Sequence, residues 1–186
     1  MKASGSSLMT VSAWESALNM TKLKIKQGNV EEATEIMMEA AAWLVETGQP
    51  LWRTEDLTPE KLLKGRSEEA FHVGWEDDKS VAAMILQWHD PLFWKEIKPF
   101  ESGFIHKLSV RRAYAGKGYV AELIRHAELE CLKKGINYLR LDCAGDRPKL
   151  CEVYEKLGFV QVDRNMRMGF DLAFYEKRIS EVSLMD

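Results

Sequence analysis

Proline is scarce in this chain, cysteine scarcer, and a run of apolar residues long enough to cross a membrane is missing. Five prolines in 186 residues leave no room for a Pro-rich spacer. Three cysteines, Cys131, Cys143 and Cys151, are an odd number, lie in apolar helix or strand contexts and lack metal-ligand spacing. They read as reduced core residues, which points to the cytoplasm and to no metal. Neither sign of charge dominates. Lys and Arg total 26 against 29 for Asp and Glu, so the broad basic footprint of a general nucleic-acid binder is excluded. The first residues lack the charged-then-apolar order of a secretory signal, so no membrane partner is expected. Internal repeats and low-complexity tracts are absent. What remains is an ordinary apolar content of 46% in a length suited to one α/β domain with a full core.

Hydrophobic periodicity lays out the elements. Residues 1–19 read as an N-terminal extension with a short helix over Ser12–Asn19, and residues 20–180 as the domain. Leu23–Gln27 alternates as a strand. Asn29 and Glu32 stand at capping-box spacing before Val30, Ala33, Met37, Ala40 and Leu44, which repeat as a helix up to Gly48. Thr58–Lys64 reads as a second short helix. Ala70–Trp75 and Ser80–Trp88 read as strands turned through Glu76-Asp77-Asp78-Lys79. A long aromatic loop follows, from Asp90 to Ser102. Strand, helix, strand, helix then run from Phe104 to Gly158, and a hairpin around Arg164-Asn165 closes the chain. The order is β-α-α-β-β-β-α-β-α-β-β, about seven strands in a mixed, mostly antiparallel sheet with about four helices.

The densest signal is Phe104–Leu123: a buried strand, a basic loop, Gly116-Lys117-Gly118, and then the first turn of an amphipathic helix. Glycines at a helix start let bare backbone N–H groups approach an anion, and the helix dipole favours negative charge there. Arg111, Arg112 and Lys117 add positive charge. A phosphate or pyrophosphate is the expected ligand. A P-loop is excluded, because Gly118 stands where Ser or Thr must follow the lysine and the upstream glycine is missing. A dinucleotide fingerprint is satisfied in letters by Gly116, Gly118 and Ala121, with Asp142 about twenty residues on. It is the weaker match: the strand ends at Val110, well before the glycines, and too little chain follows Asp142 for the alternating halves of that fold.

The downstream residues complete a third pattern. Tyr138–Cys143 reads as a strand, and Asp146 as N-cap of a helix that carries Pro148 in its first turn and ends at Gly158-Phe159. Leu108-x-Val110, Gly116-x-Gly118 and Tyr154…Gly158-Phe159, in that order and spacing, resemble the GNAT superfamily of acyl-CoA-dependent N-acetyltransferases. The resemblance runs from about Met20 to Glu176. It departs from the family's pyrophosphate motif at Ala115 and Val120, and Arg147 stands at the family's usual Asn.

The resemblance implies acetyl-CoA as cosubstrate and a primary amine, small molecule or peptide, as acceptor. It implies a thioester held by the backbone of Leu108, Ser109 and Val110, with Arg111 beside them. The pyrophosphate would sit on the turn Ala115, Gly116, Lys117, Gly118, Tyr119 and Val120, with Arg147 close by. Tyr154 falls where the family places the phenol that protonates the departing thiolate; the residue-level alternative is a core tyrosine packed with Leu150 and Leu157. His106, read in phase with Leu108 and Val110, is the candidate base, with His89 and Asp90 as rivals and an in-sheet structural histidine as the alternative. Asp142 reads as a structural acceptor, His72 and His126 as incidental, the latter on an outward helix face. Trp43, Trp52, Trp88 and Trp94, with Phe93, are candidate walls for an apolar amine, Glu46 or Asp90 holding its charge; core packing is the competing reading. The last hairpin offers an edge for a homodimer. A non-catalytic acyl-CoA-binding domain is the alternative function.

Overall fold

A computed structural model describes residues 22–180; the expected Ser12–Asn19 helix lies outside them. Its elements follow the expected order: β1 (Lys24–Gln27), α1 (Val30–Glu46), α2 (Pro59–Leu63), β2 (Phe71–Glu76), β3 (Lys79–Gln87), β4 (Gly103–Val110), α3 (Tyr119–Lys133), β5 (Tyr138–Ala144), α4 (Pro148–Lys156), β6 (Val160–Arg167) and β7 (Phe170–Arg178). The strands form one sheet in the order β1-β2-β3-β4-β5-β7-β6. Every pairing is antiparallel except β4 with β5.

Each face of the sheet has its own core. On one face α1 and α2 bury Val30, Ala33, Ile36, Met37, Ala41 and Leu62 over Phe71, Val73, Ala83 and Ile85. Such a stripe, at helical spacing, is what makes a half-buried helix worth forming. On the other, α3 and α4 lay Tyr119, Leu123, Ala127, Cys131, Cys151 and Tyr154 over Val81, Met84, Leu86, Ile105, Leu139 and Leu141. All three cysteines are buried and free.

The boundaries were less legible than the elements. Asn29 is left-handed (φ 56°) and its side chain caps nothing. Glu32 instead accepts a hydrogen bond from Ser80 Oγ at 2.5 Å, so the capping box is replaced by a helix-to-strand tie. Asp146 does not cap α4; Arg147 occupies the N-cap position, also without a side-chain cap. The closing hairpin turns at Met168-Gly169, both at positive φ, rather than at Arg164-Asn165. That geometry suits the tight primed turns that join antiparallel strands.

Strand β4 is irregular on both of its edges. Ile85 opposes His106 and Ala83 opposes Ser109, so β4 carries one more residue than β3 across that interval. The extra residue makes a bulge, and Lys107 within it takes φ 49°. Directly paired residues share a face, so His106 stands on the α1 side while Ile105, Leu108 and Val110 pack on the α3 side. The expected common phase of His106 with Leu108 and Val110 is therefore broken. On its other edge, β4 pairs with β5 only at Gly103, Phe104 and Ile105, and the two strands then part.

His126 corrects another expectation. It points into the sheet, its Nε2 3.0 Å from Nδ1 of buried His72. Burial pushes the His72 pKa down to about 3, and the neighbouring His126 adds to the shift. A base whose folded pKa lies below its unfolded value near 6.5 stabilises the fold fully above pH 6.5 and loses that contribution as pH falls toward about 3. The contribution of His72 to stability, measured by denaturant titration, is therefore expected to fall by roughly 2 kcal/mol between about pH 7 and pH 5. The double variant His72→Leu/His126→Leu, which removes both imidazoles, should flatten that decline. An unchanged slope would show that the pair titrates normally.

Candidate functional site

Where β4 and β5 part, a cavity of about 530 Å³ opens through the sheet. Its floor is β4 from Ile105 to Val110 and β5 from Leu141 to Ala144, joined by Leu150 and Tyr154 of α4 and by Arg147 just before that helix. Trp43 and Leu44 of α1, Leu51 and Trp52 of the following loop, Leu92 and Phe93 of the aromatic loop, and Met168 and Phe170 of the last hairpin build the other wall.

The structure brings eight of the predicted residues here. Leu108, Ser109, Val110, His106, Tyr154, Arg147, Trp43 and Trp52 all line the cavity. The glycine turn from Ala115 to Val120 lies beyond its wall. Gly116 and Gly118 both have positive φ with open space where a side chain would project, and no side chain caps α3. Two of the three neighbouring cations point elsewhere. Lys117 Nζ pairs with Glu76 at 3.0 Å, and the Tyr119 hydroxyl bonds the same carboxylate. Arg111 donates to Glu39 at 2.8 Å and to the Ser80 carbonyl at 2.8 Å, which ties α1 to the sheet. The Arg111 guanidinium is thus occupied by Glu39 and Ser80, and its backbone N–H by the Val81 carbonyl.

Trp88 and Trp94 stand off the cavity. Lys134 covers the Trp88 ring at 5.0 Å, and Trp94 packs on Phe104 and Phe174. Their absence from the wall reflects the core reading of large aromatics.

Electrostatics concentrate on the α1 side of the cleft. Asp90, His106 and Asp142 offer polar atoms that all lie within 4.8 Å of one another. Asp90 Oδ1 accepts hydrogen bonds from Leu92 N and Phe93 N, both at 3.0 Å, which fixes the aromatic loop. Its Oδ2 and Nε2 of His106 are buried with no hydrogen-bond partner; 3.8 Å separates them. Burial pushes His106 down to about 4 in spite of Asp90. It pushes Asp142 up to about 6, with repulsion from Asp90 adding to the shift. Lys107, also buried in part and repelled by Arg66, falls to about 8. Burial raises the Tyr154 phenol well above its usual range.

Spacing alone had no access to Lys107, Arg66, Arg167, Met168 and Phe170, which line the cavity with Arg112. Lys107 arrives through the bulge, and the hairpin residues through a turn placed four residues too early. Asp142 was read as structural; its position at the parting of the strands is a property of the sheet.

A small cation would fit the spacing of Asp90, His106 and Asp142. The guanidinium and ammonium groups of Arg66, Lys107 and Arg167, all acting electrostatically on this cluster, weigh against a multivalent one.

Comparison with known proteins gives a consistent answer. The family model described as "Acetyltransferase (GNAT) family" matches residues 36–159. YesJ of Bacillus subtilis, named an uncharacterized N-acetyltransferase, is 28% identical over 145 residues, 70% of this chain and 76% of its own. The fold superposes on that of the PaiA N-acetyltransferase of Thermoplasma acidophilum, solved with coenzyme A, with a TM-score of 0.65. That match has 21% identity and covers 84% of this chain and 98% of that one. YncA of Salmonella typhimurium, solved with its cofactor acetyl-CoA, matches with a TM-score of 0.62 at 16% identity, over 87% and 96% of the two chains. Strand order, cleft and family model agree: the chain belongs to the GNAT acetyltransferase family.

Proposed function

We propose that the protein transfers an acetyl group from acetyl-CoA to a primary amine by direct attack on the thioester. The observation that carries this reading is the parting of β4 and β5 after Ile105, which opens a cavity between their freed backbones. An acyl-pantetheine arm laid in that gap takes the place of the missing strand pairing, as an added strand does at any open sheet edge. Coenzyme A binding by PaiA and acetyl-CoA binding by YncA, on the same fold, support the choice of cofactor.

In this reading the backbone of Leu108–Val110 holds the arm and polarises the thioester carbonyl. The pyrophosphate rests on N–H groups of the turn Ala115–Val120 at the start of α3, those from Gly116 onward, since the Ala115 N–H is bonded to the Arg112 carbonyl. Arg147, anchored by its guanidinium to the carbonyls of Gln49 and Pro50 at 2.8 and 3.1 Å, closes the loop over the cleft. The neutral amine attacks the carbonyl carbon, a C–N bond forms, and the C–S bond breaks. Tyr154, kept protonated at neutral pH by burial, hydrogen-bonds and protonates the leaving thiolate, an uphill transfer completed when solvent returns a proton to the phenolate. The proton lost by the amine passes to the His106–Asp142 pair, in which Asp142 is the more basic member.

A binding domain without turnover is the second reading. Its support is that Arg111 and Lys117 have their charges met by Glu39 and Glu76. A homodimer through the β6 edge is supported by the exposed apolar side chains of Val160, Val162 and Met166 on that strand.

Calorimetry is expected to show binding of acetyl-CoA and CoA but not NAD, and NAD binding in place of CoA would overturn the assignment. Given binding, thiol release with a panel of amines separates transfer from mere binding. Tyr154→Phe should lower kcat about 10- to 100-fold while acetyl-CoA affinity holds; an unchanged kcat would remove the acid role. At saturating acceptor, kcat should rise with pH through about 6 as Asp142 loses its proton. Asp142→Asn should abolish that limb. Its survival in Asp142→Asn, with loss in His106→Gln, would place the base at His106 alone.

A further inference from the structure

The geometry points to an acceptor that carries a carboxylate as well as its amine: an amino acid with an apolar or aromatic side chain. This inference rests on the transferase reading and names the substrate class of the same cavity.

Three observations support it. The first is the bulge in β4, which sets Lys107 next to His106 at the cavity instead of on opposite faces of a regular strand. The second is the state of the cavity's cations. Arg66 is held by Gln87 Oε1 and the Leu62 carbonyl, Arg147 by the carbonyls of Gln49 and Pro50, and Arg167 by the Phe93 carbonyl and Asn165. The Arg112 guanidinium lies against Trp43, 3.9 Å from the ring centre. Lys107 differs. Its ammonium lies 4.8 Å from the centre of the Trp52 ring, and no hydrogen bond or ion pair joins it to any described residue. A half-buried ammonium with an aromatic face on one side and no acceptor is a site for an anionic group of the ligand.

The third observation is the opposite charge beside it. Asp142 lines the cavity and acts electrostatically on Lys107, while Asp90 Oδ2 and His106 Nε2 are buried without partners. Asp90 is only 5% exposed, so its unpaired oxygen is a strong claim on a donor. Asp90 does not itself line the cavity, so the incoming ammonium meets Asp142, which does, with Asp90 and His106 beside it, before it gives up its proton. Cation pit and anion post therefore stand side by side, and a plain amine would fill one and leave the other buried and unpaired. The rest of the wall, Trp43, Leu44, Leu92, Phe93 and Phe170, is apolar and suits a side chain of the same kind.

The test compares L-phenylalanine, L-phenylalaninamide and phenethylamine as acceptors, by turnover and by calorimetry on the CoA-loaded protein. The amide is the demanding control, because its less basic amine is the better supplied nucleophile at neutral pH. Wild-type protein is expected to prefer the acid over both analogues in kcat/KM. In Lys107→Met the acid-to-amide ratio should fall about 10- to 100-fold, the usual cost of leaving one member of a buried charged pair unmet. Lys107→Arg should keep much of that ratio, and acetyl-CoA affinity with thermal melting identifies any variant that has lost its fold. Equal or greater use of the amide or amine by the wild type, or an unchanged ratio in Lys107→Met, overturns the inference and leaves the transferase intact. Acid-selective binding without turnover does the reverse: it supports the charge reading and sinks the transferase one. Absence of binding by all three compounds overturns the inference as well.

Discussion

Everything at the cleft depends on β4 being unable to pair regularly on either side. Against β3 it carries one residue too many, and against β5 it runs out of partners after Ile105. A backbone N–H or C=O left without a partner inside a protein is costly. A sheet that opens at its centre is therefore under steady pressure to be closed by something with donors and acceptors of its own. An extended amide-bearing arm meets that need, and the proposed cofactor supplies one.

The two faces of the sheet divide the labour. On the α3 side Ile105, Leu108, Val110 and Tyr154 make a largely apolar surface, with the uncapped glycine turn of α3 at its end. On the α1 side the bulge presents His106 and Lys107 to Asp142, Asp90 and a wall of aromatics. In the proposed reaction, one extra residue in one strand assigns the cofactor and the acceptor to opposite sides and lets them meet through the gap. Arg111 holds the arrangement from outside. Its bonds to Glu39 and Ser80 fasten α1 across the strand that must stay open.

The order of elements and the core stripe of α1 were legible from hydrophobic periodicity, because burial on a 3.6- or 2-residue repeat is a local property. So were the glycine turn and Tyr154, whose spacing is set within single loops and helices. The phase of His106 was not. A bulge is decided by how two strands settle against each other, and no residue in Phe104–Val110 announces it. His126 was misplaced for a similar reason: a polar residue was assigned outward, whereas a second histidine on β2 gave it a buried partner. Arg111 and Lys117 show the limit of reading charge along the chain, since the carboxylates that occupy them come from α1 and β2. The four candidate tryptophans are all half-buried and divided by position. Trp43 and Trp52 follow a helix rim into the cavity, and Trp88 and Trp94 do not.

The central claim is that the freed strand and the glycine turn together receive the cofactor. Hydrogen–deuterium exchange with and without acetyl-CoA reads those backbone groups one segment at a time. The account predicts new protection in the segment containing Leu108–Val110 and in that containing Gly116–Val120, with no comparable change in β1, β2 or β6. Protection confined to other segments, or none at saturating acetyl-CoA, would contradict it.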